Sequence, residues 1–326
     1  MRKIIIFSFL AIFGFSLYLI YYPINKKTKV VEIPKNISAK EVCLLLQKNE
    51  IIKNSKFLEL IIKITDSESK IKTGLYRFPA KISYYEVFKI LISGKELLIK
   101  VIIPEGYNIY QIAQLLYEKG IISSPTLFEN FCFDREKIRN FLNNGISMEG
   151  YLFPDTYFIS KNGKILQIVK LMNDNFKKKV INKLYFDIAN SKLSLNQIVT
   201  LASIIQKETY NKKEMPIIAS VFFNRLKKGM RLQSDPTVIY GIWKKFKGKL
   251  TKKDLETYTP YNTYKIKGLP PTPICNPGFY AIYSVLHPAK TDYLYFVSTN
   301  KGYHVFSKTY KEHLLNVKKF QKKLHN

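Results

Sequence analysis

Shifted by 70 residues, the chain overlays itself without a gap, and that repeat limits the folds open to it. Val31-Glu-Ile-Pro34 lies over Val101-Ile-Ile-Pro104, Leu45 over Leu115, and Ile51-Ile52 over Ile121-Ile122. Each copy predicts a short strand, a turn, an amphipathic helix of about ten residues and a second helix (Lys56 to Ile64, Pro125 to Phe131). Two copies are too few for a solenoid, so small α+β modules are expected. Thr73–Phe78 reads as a strand and Tyr84–Leu91 as a helix closing at Ser93-Gly94. After the second copy, Met148–Phe158 forms an aromatic-rich turn and strand, and Ile165–Ile188 one basic amphipathic helix. Another helix opens at Ser194. Its neighbour runs from Pro216, well placed in a first helical turn, to Lys228, with Gly229 ending it. Tyr293–Val297 and His304–Phe306 predict a hairpin before a polar C-terminal helix.

Ahead of the repeat, Ile4–Tyr22 is a stretch of 19 residues without a charge, preceded only by Met1-Arg2-Lys3. It is about long enough to span a bilayer. A cleaved signal peptide would need a small-residue cleavage site, and Ser16–Tyr22 has no good one, so an uncleaved anchor is favoured. Lys26, Lys27 and Lys29 match Arg2 and Lys3 in charge. A three-residue head most simply stays inside, which exports the bulk of the chain.

With 326 residues there is room for two or three domains. The formal charge of +29 invites a nucleic-acid reading. Against it, the lysines are spread along the whole chain with abundant Ile, Asn, Tyr and Phe, a bias that AT-rich codons alone would produce. No basic stripe with interleaved aromatics stands out. An anionic polymer or membrane surface remains a reasonable partner. Cys43, Cys132 and Cys275 are odd in number and far apart, and His287, His304, His313 and His325 form no metal-binding pair. No metal and no cofactor are expected.

The densest run of functional-looking residues is Leu201–Thr209 followed by Arg231–Gly241. The Ser194 helix carries Gln197 as a capping-box partner and apolar residues at Ile198, Leu201, Ala202 and Ile205. At helical spacing Glu208 falls about 70° from the centre of that stripe, Gln206 about 90° away on the other flank, and Lys207 nearly opposite, toward water. A carboxylate at the edge of a buried face beside a loop is how a general acid with a raised pKa is made. The plainer alternative pairs Glu208 with a core cation, Arg225 being the candidate. Asp235-Pro236 at the head of an apolar run reads better as a helix N-cap than as a catalytic pair. Tyr258–Tyr264 and Gly268–Gly278 suit sugars, with aromatic rings and amides on a Pro-stiffened loop; the alternative is a rigid connector packed on the core. Tyr258 and His287-Pro288 have no role assignable from spacing.

Taken together, IPEG (Ile103 to Gly106), EGYLFPDTY (Glu149 to Tyr157), LASIIQKET, NRLKKGMRLQSDPTVIYG, YNTY, GLPPTPI-NPG and HPAKTDYLYFV resemble the endolytic murein transglycosylases, the YceG-like or MltG family. The resemblance runs from about Val101 to the C-terminus. It implies an α+β chain with an N-terminal transmembrane helix, a small LysM-like module and a larger mixed α/β YceG-like catalytic domain. The expected parts are a cytoplasmic head (1–3), the membrane helix (4–22), a linker (23–30), the LysM-like first copy (31–97), the second copy with its connecting strands (98–165), and the catalytic domain (166–326).

The resemblance also implies cleavage of the β-1,4 bond between N-acetylmuramic acid and N-acetylglucosamine inside nascent peptidoglycan strands. The muramic C6 hydroxyl would attack, leaving 1,6-anhydro ends and terminating strand elongation. Glu208 matches the second acidic position of the family's E-K-E-like stretch and would be the single acid/base, while Gln206 departs from the first. Residue type and resemblance assign Gln233, Ser234, Asp235, Thr237, Tyr261, Asn262, Thr263 and Tyr264 to the substrate. The implied location is the inner membrane with the body in the periplasm, and the implied partners are the glycan strands and the peptidoglycan synthases (penicillin-binding proteins). A glycan-binding scaffold without turnover, a non-specific binder of acidic polymers and a plain glycosidase are the competing readings.

Overall fold

A computed structural model describes residue 18 and residues 20–34, 36–94, 97–142, 145–161 and 163–321. Most of the expected membrane helix at 4–22 lies outside them, and among the described residues no helix is long and apolar enough to cross a membrane. The chain divides into two compact units. One takes in the described residues up to Lys100 with Phe158–Gly163, the other Val101–Tyr157 with Lys164 onward.

In the first unit β1 (Lys29–Ile33) is followed by α1 (Ala39–Lys48), α2 (Ser55–Ile64), β2 (Gly74–Phe78) and α3 (Tyr84–Ser93). β1 and β2 pair antiparallel, Lys29 opposite Phe78 and Ile33 opposite Gly74. Ser38 caps α1 in a capping box with Glu41, and Ser83 caps α3 with Glu86. Inside, Val42, Leu46, Leu58 and Ile62 close on Tyr76, Phe78, Val87 and Leu91. Each such aliphatic side chain contributes about 1.5–3 kcal/mol. The expected linker is already fastened to this unit. Asn25 is buried, its Nδ2 donates to Pro79 O at 2.9 Å, and it accepts from Ile82 N at 2.9 Å.

β3 (Leu98–Ile102) opens the second copy, which continues through α4 (Ile109–Glu118) and α5 (Pro125–Phe133). α4 starts and ends 70 residues after α1, and Asn108 with Gln111 repeats the Ser38–Glu41 capping box. The buried positions repeat as well: Val42 and Ile112, Leu46 and Leu116, Ile51 and Ile121, Leu58 and Phe128. The repeat is therefore structural. A short α6 (Arg135–Ile138) precedes β4 (Thr156–Ser160), which pairs with β3, and α7 (Ile165–Phe176) follows.

The single helix expected over Ile165–Ile188 is broken in two. A π turn at Lys177–Ile181 ends α7, and α8 (Tyr185–Asn190) starts afresh. Val180, within the wider turn, and Leu184, just after it, are both buried.

The rest of the second unit is α9 (Leu195–Glu208), α10 (Met215–Lys227), α11 (Asp235–Gly241), α12 (Lys252–Glu256), α13 (Phe279–Leu286), β5 (Tyr295–Ser298), β6 (His304–Ser307) and α14 (Tyr310–Phe320). The expected hairpin forms, with Tyr295 opposite Ser307 and Ser298 opposite His304. α10, α11 and α13 pack around α9. Every residue from Ile198 to Gln206 is consequently buried, so α9 is central on all sides and not one-striped as its periodicity suggests.

Candidate active site

Glu208 is the last residue of α9. The Ser194–Gln197 capping box fixes the start of that helix, Ser194 N donating to Gln197 Oε1 at 2.9 Å. At the other end Thr209 turns extended, so the helix delivers a partly buried carboxyl group just where the chain leaves the core. Gly229 ends α10 in the left-handed conformation, and Gln233 adopts φ +55° two residues before α11. Those two bends swing Ser234 under the end of α9. Its hydroxyl donates to Glu208 Oε1 at 2.5 Å.

A cavity of about 390 Å³ opens in front of Glu208, bounded by Arg225, Gln233, Asp235 and Tyr264. Phe296, Val297, Ser298, His304 and His313, from the C-terminal hairpin and α14, close its other side. Burial raises the pKa of Glu208; the Ser234 hydroxyl pulls the other way, Asp235 raises it further, and His304 and Arg225 lower it. The group is thus held toward its neutral, proton-donating form. Asp235 is not the N-cap: Ser234 holds that position, and Asp235 Oδ1 accepts from Tyr264 Oη at 2.7 Å.

Arg225 does not pair with Glu208. Its Nε donates to Leu294 O at 2.6 Å, and its Nη1 to Leu232 O at 2.8 Å and Gln233 Oε1 at 3.3 Å. It ties the chain just ahead of β5 to the Gln233 turn and adds positive potential at the cavity.

The expected site residues separate into two sets. Glu208, Gln233, Asp235 and Tyr264 line the cavity, and Ser234 reaches it through Glu208. Thr237, Tyr261, Asn262 and Thr263 stand behind it. Thr263 Oγ1 accepts from Ser234 N at 2.9 Å and shares a 2.8 Å bond with Thr237 Oγ1. Asn262 is fully buried, its Nδ2 given to Leu255 O and Thr257 O. The Tyr261 hydroxyl bonds Thr272. Thr237 and Thr263 support the Gln233–Asp235 turn, Tyr261 and Asn262 brace the loop that carries Thr263, and none of the four lines the cavity.

Gln206 points elsewhere. It is fully buried, its Oε1 accepts from Gly278 N at 3.0 Å, and its Nε2 finds no partner among the described residues. Lys207, expected in water, is partly buried with Nζ 3.5 Å from Gly106 O. The Pro-rich Gly268–Gly278 loop is bonded into the core: Ile274 N donates to Ser203 Oγ, and Asn276 Oδ1 accepts from Gly150 N and Leu152 N. His287 sits against Asp187 at 3.1 Å, and Tyr258 is exposed.

Sequence reasoning passed over His304 and Glu214. His304 Nδ1 lies 2.8 Å from Glu214 Oε2, and its backbone N donates to Glu214 Oε1 at 2.9 Å. The two residues are 90 positions apart, so no spacing could reveal the pair. It fixes the ring that faces the cavity. Among the described residues no group of side chains could hold a metal ion.

A mixed helical and two-stranded-sheet fold places one partly buried carboxyl group at the end of its central helix, beside a polar cavity, an arrangement that can carry acid/base work on a polar substrate. The chain belongs to the YceG-like family, whose profile matches residues 31–319. It is 34% identical over 309 residues to the endolytic murein transglycosylase of Bacillus subtilis (strain 168), covering 89% of this chain and 85% of that protein. The protein of the same name from Streptococcus pneumoniae serotype 2 (strain D39 / NCTC 7466) is 28% identical over 329 residues, and the chain spans only 58% of its length. A 2.6 Å crystal structure of a yceG-like protein from Listeria monocytogenes superposes with a TM-score of 0.62 at 34% identity, covering 89% of this chain and 99% of that one.

Proposed function

We propose that this protein is an endolytic murein transglycosylase with Glu208 as its single acid/base. The observation that carries the reading is the partly buried Glu208 carboxyl group, raised in pKa and fixed by Ser234 in a polar cavity. The family and its two similarly named relatives supply the substrate class. In the first half-reaction Glu208 gives its proton to the glycosidic oxygen as the C1–O bond to the next sugar breaks. In the second it takes the proton of the muramic C6 hydroxyl as O6 bonds to C1, closing the 1,6-anhydro ring and restoring the acid. Arg225 and His304 bias the cavity toward the carboxylate state that the second step needs. On the same resemblance, Ile4–Tyr22 anchors the chain in the inner membrane, residues 31–97 form a LysM-like module, and the body works in the periplasm beside the peptidoglycan synthases, limiting strand length.

Asp235 supports one competing reading, because it faces the same cavity and could activate water in a two-carboxylate hydrolysis. The products decide. Full-length protein in detergent is incubated with uncrosslinked glycan strands, beside Glu208→Gln, and the products are read by mass spectrometry. Anhydromuramic ends from internal cuts are expected, with the rate falling about 10²–10⁴-fold in the variant. Reducing ends would assign hydrolysis, and intact strands that still bind would leave only a scaffold.

A further inference from the structure

A second cavity in the same unit, about 570 Å³, lies at the far end of α11. α11 begins beside Glu208, and Trp243 follows its last turn, on the order of 13 Å further along by helical rise. Tyr110, from α4, lies parallel to Trp243, with ring centroids 5.9 Å apart and planes 12° from coplanar. Phe133 and Tyr240 hold Tyr110 from the sides, and Tyr107 adds a third aromatic wall. Both Tyr110 and Trp243 keep part of their surface in solvent.

Amides and carboxylates from one face of α4 meet these rings. Gln111 gives its Oε1 to the helix cap at Asn108, which leaves its amide nitrogen to donate. Gln114 donates to Glu118 Oε1 at 2.8 Å, which leaves the Gln114 carbonyl and the second Glu118 oxygen to accept. The charged lining is Glu118, Glu129 and Lys244, with Lys244 3.8 Å from Glu129. In a chain of formal charge +29, this cavity carries no cationic excess. That balance disfavours an anion and suits a neutral, hydroxyl-rich ligand that presents flat apolar faces.

We propose that this aromatic cavity is an accessory glycan subsite that holds N-acetylhexosamine units of the same strand that Glu208 cuts. The inference rests on the proposed activity for its ligand and on the placement of Trp243 for its location. A strand seated here is steadied by the helix that also carries Ser234 to Glu208, so the subsite favours cuts inside a strand.

Trp243 is the sole tryptophan of the chain and therefore reports on this cavity alone. The test titrates full-length Glu208→Gln protein in detergent with the β-1,4-linked N-acetylglucosamine tetramer and follows tryptophan fluorescence. A saturable change is expected, and Gln114→Ala, an exposed substitution, should weaken its Kd about tenfold (~1.4 kcal/mol). Calorimetry on Trp243→Ala should show the same loss, with circular dichroism confirming the fold. An unchanged fluorescence at saturating tetramer overturns the subsite, and so does a response to stem peptide alone. Turnover is read separately on wild-type protein. Cleavage without a fluorescence response sinks the subsite and spares the activity, whereas a response without cleavage sinks the activity and leaves a glycan-binding site.

Discussion

Burial raises the pKa of Glu208, and Ser234 tempers that rise, its hydroxyl being the one direct hydrogen-bond donor to that carboxyl group among the described residues. The bond favours the ionised form, so Ser234→Ala should raise the pKa of Glu208. If protonated Glu208 donates to the leaving oxygen, the alkaline limb of the kcat profile moves to higher pH; an unmoved limb would detach that limb from Glu208. Glu149 is a second buried carboxyl group with another purpose. It accepts from Ile109 N, Tyr240 Oη and Asn276 Nδ2, tying together the starts of α4 and of the Pro-rich loop's exit with α11. Burial pushes it up to about 8 against the pull of those donors. A folded pKa above the unfolded one contributes stability at low pH that is lost as pH rises through about 8. Glu149→Gln cannot ionise, so its Tm relative to wild type should climb between about pH 5 and pH 9, by at least ~2–4 °C. Parallel melting curves across that range would remove the ionisation from the account. The sequence singled out Glu208 by its place on a helix and, above all, by the motif it shares with the family. It could not find His304 or Glu214, whose meeting depends on a hairpin folding back over α10.

At the scale of elements, local signals were read well where they are local. The capping box expected at Ser194 forms, and the structure adds others at Ser38, Ser83 and Asn108 that the reading of the sequence did not single out. α9 shows the limit of periodicity: Ile198, Leu201, Ala202 and Ile205 read as one apolar stripe with Gln206 on its flank, yet Thr200, Ser203 and Gln206 are buried as well. Ser203 is satisfied by Thr200 O and by the loop at Ile274, so neighbouring elements complete what the helix alone leaves open. That close packing makes Gly150 a stringent position. Its φ is +89°, and an added Cβ would come within 2.7 Å of Val199 Cγ1 and of Pro273 Cβ. Gly150→Ala should cost about 2–5 kcal/mol, combining left-handed strain with overpacking. Calorimetry should then show a Tm lower by roughly 5–15 °C, and a near-native Tm would mean that the Pro273 loop yields.

For the whole molecule, the charge and the carboxylate make separable forecasts. Attraction of a +29 chain to anionic wall polymers should weaken as the Debye length shrinks from about 10 Å at 0.1 M salt to about 3 Å at 1 M. Cleavage of uncrosslinked strands should persist at the higher salt if short-range contacts at Glu208 carry it. Sedimentation with isolated wall polymer, run beside the product assay, compares the two, and equal loss of both would favour non-specific charge binding. By itself the sequence determined the 70-residue repeat, the Ser194 capping box, the hairpin and the placing of Glu208 on the helix that Ser194 opens. Apart from the repeat, which the self-overlay shows directly, each of those depends on residues within about one element of each other, where spacing and rotamer geometry are decisive. Only the tertiary structure decided that Arg225 serves carbonyls instead of Glu208, that Asn262 and Thr263 stand behind the cavity, and that Gln206 faces Gly278. Those outcomes depend on which distant carbonyls and hydroxyls remain unmatched once α10, α11 and α13 enclose α9. Burial forces such groups to find partners across the fold, and no local pattern records which partner is nearest.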